Sequence, residues 1–275
     1  MKRFVLLLSL VGAGAQADEP APKRPDLPLW EVGVAAVGVS QQAYPGSDQQ
    51  ARRALALPYL IYRGKVWRAD RDGAGLRALR TERFELDVSF AGSLSSGSES
   101  LRAREGMARL NTLVEAGPVA RWFLNGRNAA DRIVLELPVR GVFEARNLSL
   151  HRGMSFEPRL SWQQRPVEGG WGYGLSVGAL VGDRRLGSTF YGVAPGEAMA
   201  DRPAYEARAG LIAWRLGGSV ATQLTPDLRL FSFVRLDSLA GAANRDSPLV
   251  RQMSGASYGI GLTYTLKRSA ARAND

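Results

Sequence analysis

The segment SYGIGLTYTL, residues 257–266, lies near the end of the 275-residue chain and alternates two kinds of side chain. The apolar set is Tyr258, Ile260, Leu262, Tyr264 and Leu266, and the residues between them are small or hydroxylated. A period of two residues indicates a β-strand with one face against an apolar medium and the other face in a different environment. Near the end of a chain, this pattern is typical of the closing strand of a bacterial outer-membrane barrel.

The same alternation recurs along the chain in short segments separated by turn or loop residues. The predicted strands are Leu29–Ser40, Arg52–Arg63, Lys65–Asp72, Arg83–Leu94, Leu113–Leu124, Ile133–Glu144, Met154–Arg165, Trp171–Asp183, Ala204–Arg215, Gly217–Leu224, Leu228–Leu239 and Ser257–Leu266. An even number of about twelve suits a single-chain membrane barrel. The sequence therefore predicts an all-β protein, a transmembrane antiparallel up-and-down β-barrel of about 12 strands.

A soluble β-sandwich is the alternative, because half-buried antiparallel strands also alternate. Two features favour the barrel. Charged residues occur in the middle of the polar faces, which suits a wet lumen, and tryptophans lie near strand ends, which suits the aromatic girdles of membrane proteins. The charged residues predicted to face the lumen are Glu85, Asp87, Glu136, Arg140, Glu157, Arg159, Glu206, Arg208, Arg235 and Asp237. Ion pairs between them would stiffen a barrel or bias the selectivity of a pore, and the sequence does not separate these roles.

The first residues indicate export. Lys2 and Arg3 precede the apolar run Phe4–Val11, and Ala15-Gln16-Ala17 supplies the small residues that a signal peptidase requires. Residues 1–17 are therefore predicted to be a signal peptide, and the predicted location is the outer membrane of a Gram-negative cell.

The remaining chain divides into three predicted parts. Residues 18–28 contain four prolines among charged residues and are expected to form a flexible leader. Residues 29–266 are expected to form the barrel. Residues 267–275 are expected to form a polar tail whose deletion leaves folding intact.

The composition limits the partners and the cofactors. The net charge of +10 would suggest nucleic acid in a cytosolic protein, but export makes that partner improbable, so outer-membrane lipid and lipopolysaccharide are predicted instead. Arginines that line a wet lumen and its rim are the favoured explanation of the charge, because barrel interiors are polar. There is no cysteine, which excludes disulfides and thiolate metal sites. No cofactor and no metal site are predicted.

Two long connections conflict with the predicted strand order. If the first strand runs outward from the periplasm, residues 95–111 and 184–203 fall on the periplasmic side, where turns are usually short. Either the strand count is wrong, or these connections are periplasmic binding elements.

Enzyme chemistry has little support in the sequence. A Ser-His-Asp site would require His151, the only histidine, with Ser149 or Ser155 nearby in the chain. No G-x-S-x-G elbow or zinc motif accompanies it, so no catalytic residue is predicted. Asp70-Arg71-Asp72-Gly73 starts like a calcium loop, but the following residues lack ligands, which favours a charged turn.

Several motifs in order resemble the MipA/OmpV family of outer-membrane proteins. They include LPLWEVG at 27–33, YPGSD at 44–48, LPYLIYRG at 57–64, DRDG at 70–73, DRPAYEARAG at 201–210 and DSPLV at 246–250. The motif residues singled out are Asp70, Arg71, Asp72, Gly73, Asp201, Arg202, Pro203 and Tyr205.

The resemblance implies a non-enzymatic outer-membrane barrel, a scaffold that links a murein lytic transglycosylase to a murein synthase. Under this hypothesis the long connections that carry arginine are candidate docking surfaces. A porin-like channel for small anionic solutes is the alternative. A lipid-modifying enzyme that uses His151 is a third hypothesis, and the family supplies no catalytic residues for it.

Overall fold

The computed structural model describes residues 27–63, 67–70, 73–93, 101–127, 129–164 and 170–273. The predicted signal peptide, nearly all of the predicted leader, and Arg71 and Asp72 of the charged turn lie outside these residues.

Thirteen strands form one sheet, and two of them are halves of the same strand. The strands are β1 (Trp30–Gln42), β2 (Gln50–Arg63), β3 (Trp67–Asp70), β4 (Gly73–Arg80), β5 (Phe84–Ser93), β6 (Leu113–Phe123), β7 (Asp131–Glu144), β8 (Asn147–Phe156), β9 (Arg159–Gln164), β10 (Trp171–Gly182), β11 (Gly210–Gln223), β12 (Leu228–Ser238) and β13 (Ser254–Arg268). Both β8 and β9 pair with β7 and with β10, and only Glu157 and Pro158 separate them. The described sheet therefore has twelve barrel strands.

The sheet closes on itself. Each strand is antiparallel to the next one in the chain, β10 pairs with β11, and β13 returns to pair with β1 from Glu31↔Arg268 to Ser40↔Tyr258. A closed meander leaves no sheet edge unpaired, which is the requirement for strands that cross a membrane. The predicted up-and-down barrel of about twelve strands is confirmed.

The two faces of β13 differ as the sequence predicts. Tyr258, Ile260 and Leu266 point outward and are 55%, 59% and 61% exposed, whereas Gly259 on the inner face is buried. The ring of Phe233 lies over Gly259, where a Cβ would come within 2.6 Å of it, so glycine is needed for this close approach. The outward band of apolar side chains is the lipid-facing surface.

The predicted strands contain two errors, one strand missed and one strand divided in two, and these errors cancel in the number of strands. The structure forms β4 at Gly73–Arg80, which the sequence analysis missed, and it merges the predicted strands Ala204–Arg215 and Gly217–Leu224 into one strand, β11. The bulge in the β4–β5 pairing between Arg77 and Leu79 explains the miss, because it interrupts the period of two.

This correction places all the long connections at one end of the barrel. The long-loop end contains the connections after β1 (43–49), β5 (described from 101 to 112), β10 (183–209) and β12 (239–253). The short-turn end contains the connections after β4 (81–83), β6 (124–130) and β11 (224–227). Outer-membrane barrels have short turns on the periplasmic side, so the conflict over residues 95–111 and 184–203 came from the missed strand.

The chain segments that flank the barrel meet at the short-turn end. Beyond β13, Ser269 N–H donates to the Trp30 carbonyl at 2.9 Å, and Leu29 N–H donates to the Ala271 carbonyl at 2.8 Å. Ala273 N–H donates to the Leu27 carbonyl at 2.8 Å. The predicted polar tail therefore continues the β1–β13 pairing, and the predicted barrel boundary at Leu266 was too early.

The helical segments are short. The connection after β10 contains the helix α1 (Arg184–Tyr191) and a 3-10 turn at Pro195–Glu197, and the connection after β5 contains a 3-10 turn at Arg102–Arg104. None of the helical segments in the described residues is long and apolar enough to cross a membrane.

Candidate functional site

Four connections fold together over the long-loop end, and we call residues 43–49, 101–112, 183–209 and 239–253 the cap. They follow the first, fifth, ninth and eleventh barrel strands, so they converge from around the rim. Their contacts form an apolar core that includes Ala43, Tyr44, Leu110, Leu186, Phe190, Tyr191, Ala207, Leu239 and Ala242, together with Leu113, Val142, Leu180, Ile212 and Ala213 of the strands. The cap thus packs like the interior of a soluble domain.

Two buried tyrosines connect the cap connections. The Tyr44 hydroxyl donates to the Leu249 carbonyl at 2.7 Å, and the Tyr191 hydroxyl donates to the Pro45 carbonyl at 2.9 Å. Burial raises the pKa of Tyr44 to about 12 and also raises the pKa of Tyr191. Both hydroxyls therefore remain neutral donors over the physiological range.

Two arginines hold carbonyl groups in the cap. Arg202, only 5% exposed, donates to the carbonyls of Glu197 (2.8 Å), Glu105 (2.8 Å) and Ala103 (3.2 Å). Arg104 donates to the Phe190 carbonyl at 3.1 Å, at the C-terminal end of α1. Burial lowers the pKa of Arg104. These contacts join the connection after β5 to the connection after β10.

The residues of the resemblance motifs have different surroundings. In DRPAYEARAG, Arg202 has the cap contacts described above, Tyr205 pairs with Val193, and Asp201 and Pro203 are exposed. Asp70 and Gly73 pair with each other at the β3–β4 turn.

The structure corrects two predicted lumen residues. Glu206 forms an exposed ion pair with Arg184, and Arg208 N–H donates to Asn244 Oδ1 at 2.8 Å. Both residues lie in the cap because β11 begins only at Gly210. They do not face the lumen.

The other eight predicted charges all form ion pairs, several of them with residues that the sequence analysis did not single out. Arg121 lies at the centre of the first cluster. It pairs with Asp87, with Glu136 at 2.9 Å and with Glu85 at 3.6 Å. Glu85 also pairs with Arg127 at 2.6 Å, and Glu136 with Arg159. Arg121 was recognisable in principle because it lies on the polar face of the predicted strand Leu113–Leu124.

A second cluster crosses from the β8–β9 junction to β12. Arg215 pairs with Glu157 at 2.7 Å and approaches Asp237 at 3.5 Å, and Arg235 approaches Asp237 at 3.4 Å. The predicted lumen residue Arg140 approaches Glu115 at 3.7 Å. The cap lies between these pairs and the solvent at the long-loop end.

A cavity of about 340 Å³ lies beside the second cluster. Its charged lining residues are Glu136, Glu157, Arg159, Arg215 and Arg235, and the other lining residues are small or polar except Trp162, Leu175, Phe233 and Val234. This volume is within the range of small-molecule pockets.

Part of the lumen wall is apolar, which the sequence analysis did not predict. Tyr59 faces the lumen, since its hydroxyl lies 2.7 Å from Thr265 Oγ1 on the inner face of β13. Leu57, two residues earlier on the same face, is 51% exposed. Because barrel interiors are usually polar, the sequence did not indicate that Leu57 and Tyr59 share a lumen-facing region.

His151 has a structural contact. Its ring packs against Phe143 with the ring centres 5.2 Å apart. Within the described part of the chain, no serine or carboxylate hydrogen-bonds to it, and no three potential metal ligands cluster. This arrangement gives the lipid-modifying hypothesis no geometric support.

Comparison with known proteins gives a family. No curated protein matches the chain. The structure is similar to the COG4313 outer membrane channel from Pseudomonas putida F1, with 11% identity over 91% of this chain and 100% of the channel, at a TM-score of 0.34. It is also similar to a Pseudomonas aeruginosa FadL homologue, with 9% identity over 86% of this chain and 90% of that one, at a TM-score of 0.28. Scores this low bear on neither fold nor function. The family model described as MltA-interacting protein MipA matches residues 32–266, and the chain therefore belongs to the MipA family.

Proposed function

We propose that this outer-membrane barrel is a non-enzymatic anchor whose short-turn end binds a murein lytic transglycosylase and, through it, a murein synthase. The family name supports the first partner, because it describes a protein that interacts with MltA. The observation that carries the proposal is the cap, which fills the long-loop end with a packed apolar core. A barrel capped in this way is not built as a permanently open pore.

The short-turn end is the surface that suits a periplasmic partner. The long connections, which the sequence analysis considered as docking surfaces, lie at the opposite end and pack on each other. At the short-turn end, Arg83 and Lys267 are exposed, and Leu124 and Leu224 are exposed apolar residues at the turns. Basic and apolar side chains side by side are typical of protein interfaces with an acidic partner surface.

The experiment is a pull-down from solubilised cell envelopes with the full chain as bait. We expect wild type to capture a lytic transglycosylase, and the pair Arg83→Glu with Lys267→Glu to capture clearly less, because charge reversal repels the partner. The control pair, Arg184→Glu with Arg245→Glu, makes the same charge change on the exposed surface of the cap. Capture that is absent in wild type, or reduced equally by both pairs, contradicts the proposal.

A channel for small anionic solutes is the second candidate, and the charged cavity below the cap favours it. Conduction would require the cap to open. In planar bilayers, this candidate predicts few openings for wild type and more for Arg202→Ala, which removes contacts between cap connections. If neither wild type nor Arg202→Ala conducts ions, this candidate is ruled out.

A further inference from the structure

The cavity is formed by three consecutive rows of lumen-facing residues. Strand pairing gives the rows directly, since paired residues share a face. The rows are Arg159, Gly178, Arg215 and Asp237; then Ser161, Ser176, Gly217 and Arg235; then Gln163, Gly174, Ser219 and Phe233. Charge thus lies in the rows nearer the cap, hydroxyl and amide groups in the middle and lower rows, and one aromatic ring at the side nearer the short turns.

From this arrangement we propose that the cavity is a binding site for a small polyhydroxylated carboxylate, a sugar acid. The guanidinium of Arg235 would receive the carboxylate, the serine hydroxyls would bind the ligand hydroxyls, and the Phe233 ring would contact the apolar face of the sugar. This site does not depend on the proposed anchoring role, because it lies inside the lumen.

Arg235 is the cation of the cavity with the weakest protein contacts. Its contacts to Asp237 Oδ2 and Ser257 Oγ are both 3.4 Å, and its side chain is 38% exposed. Hydrogen bonds from arginine to carboxylate are normally about 2.7–2.9 Å, and a free fork binds a carboxylate through two of them. Arg235 therefore retains donor capacity toward the cavity.

The neighbouring charges are already engaged. Arg215 makes a 2.7 Å contact with Glu157, and Arg159 makes two hydrogen bonds to Glu136. Asp237 is 2% exposed, is approached by both arginines of its cluster and does not line the cavity. An incoming carboxylate thus meets Arg235 first.

The rows next to these charges, on the same strands, leave room and offer hydroxyl groups. A Cβ on Gly217 would lie 2.5 Å from Ser176 Oγ, so the small residues keep the space clear. Ser219 is exposed to the lumen. Flat arrays of hydroxyls beside an aromatic ring suit a pyranose, which has polar edges and apolar C–H faces.

The test is titration calorimetry on the full chain in non-ionic detergent with D-glucuronate, N-acetylmuramic acid, D-glucose and D-glucosamine. We expect at least one of the two acids to bind about tenfold or more tightly than the neutral and the cationic sugar. Comparison of the two acids distinguishes an external uronic acid from a murein-derived sugar as the source.

Three variants locate the site. Arg235→Gln is expected to weaken binding of the acid about tenfold, and Ser219→Leu to abolish it by filling the cavity without changing charge. Arg140→Gln removes the same charge from a lumen position outside the cavity lining and is expected to change binding less than about twofold. Folding of all three variants can be checked by the change in gel mobility that a folded barrel shows on heating.

The proposal is overturned if neither acid binds, if glucose binds as tightly as the acids, or if Arg140→Gln and Arg235→Gln have equal effects. None of these results affects the pull-down, so failure of the site and failure of the anchoring role are separate outcomes.

Discussion

The cap and the lumen wall below it are stabilised by different physics within one barrel. The cap is an apolar core crossed by neutral hydrogen bonds, such as Tyr44 to Leu249 and Tyr191 to Pro45. The wall is held by the strand ladder and by arginines paired with carboxylates, with Arg121 among the most buried. Apolar packing is lost gradually when a side chain is trimmed, whereas removal of one ion-pair partner leaves a buried charge.

This difference means that each region can be perturbed without the other. Conditions that charge a neutral donor act on the cap, because arginines and carboxylates keep their charges between pH 7 and 12. Substitution of an arginine acts on the wall.

Replacement of Arg121 by methionine is expected to have the largest effect. It leaves Asp87, Glu85 and Glu136 with less positive charge around them in a buried site, and loss of one partner of a buried ion pair costs about 3–5 kcal/mol. The measurement is urea unfolding of the barrel in lipid vesicles. We expect the transition of the whole barrel to move to lower urea.

Arg140→Met is the comparison for Arg121, since Arg140 has one carboxylate partner, Glu115 at 3.7 Å, where Arg121 has three, and we expect a smaller loss. Equal losses in the two variants would show that the strand ladder alone determines the stability of the wall.

Alkaline pH is expected to loosen the cap and leave the wall intact. Burial raises the pKa of Tyr44 to about 12, above the value near 10 of an exposed tyrosine, so the folded cap binds this proton more tightly than the open cap does. Its contribution is fully present below about pH 10 and is lost as pH rises through about 12, which corresponds to roughly 2–3 kcal/mol. The ionisation of Tyr44 is measured by the absorbance of tyrosinate as the pH is raised.

The titration difference between wild type and Tyr44→Phe isolates this one group. We expect the difference curve to have its midpoint near pH 12, together with increased proteolysis of residues 183–209 at high pH. A midpoint near 10 would mean that the Tyr44 hydroxyl is exposed and that the cap is not packed as described.

The wall was more predictable from sequence than the cap, for a physical reason. Alternation in Ser257–Leu266 records which side of the sheet each residue faces, whatever its partners are, so face and fold class follow from the local pattern. The same pattern predicts that Glu85, Asp87 and Glu136 lie on the polar faces of their strands. Assignment of strands failed where a bulge broke the period, at β4.

The cap was not predictable because its contacts join residues far apart in sequence. Tyr191 contacts Pro45 across 146 positions, and Arg202 contacts Glu105 across 97. No local period marks such pairs. The same reason explains Glu206 and Arg208, whose alternating neighbours imitate a strand in a segment that packs in the cap.

Truncation at the end of the chain is expected to have the smallest effect and tests the boundary that the sequence analysis placed too early. Deletion of residues 269–275 removes the three backbone hydrogen bonds to Leu27, Leu29 and Trp30, but leaves the pairing of β13 with β1 from Glu31 to Ser40. At a fraying end, we expect a loss of about 1–2 kcal/mol, measured by urea unfolding in vesicles.

Deletion of residues 267–275 is the companion variant, because it also removes the Arg268–Asp227 pair, an exposed contact of 2.6 Å, and the last rungs of β13. Exposed pairs contribute about 1 kcal/mol or less and each lost backbone hydrogen bond about 1 kcal/mol, so the two truncations should differ by about 1–3 kcal/mol and both should fold. The strand SYGIGLTYTL would then be sufficient to close the barrel, and the residues after it would only extend the pairing with β1. If the longer deletion fails to reach the outer membrane while the shorter one succeeds, Lys267 and Arg268 belong to the closing strand in function as well as in hydrogen bonding.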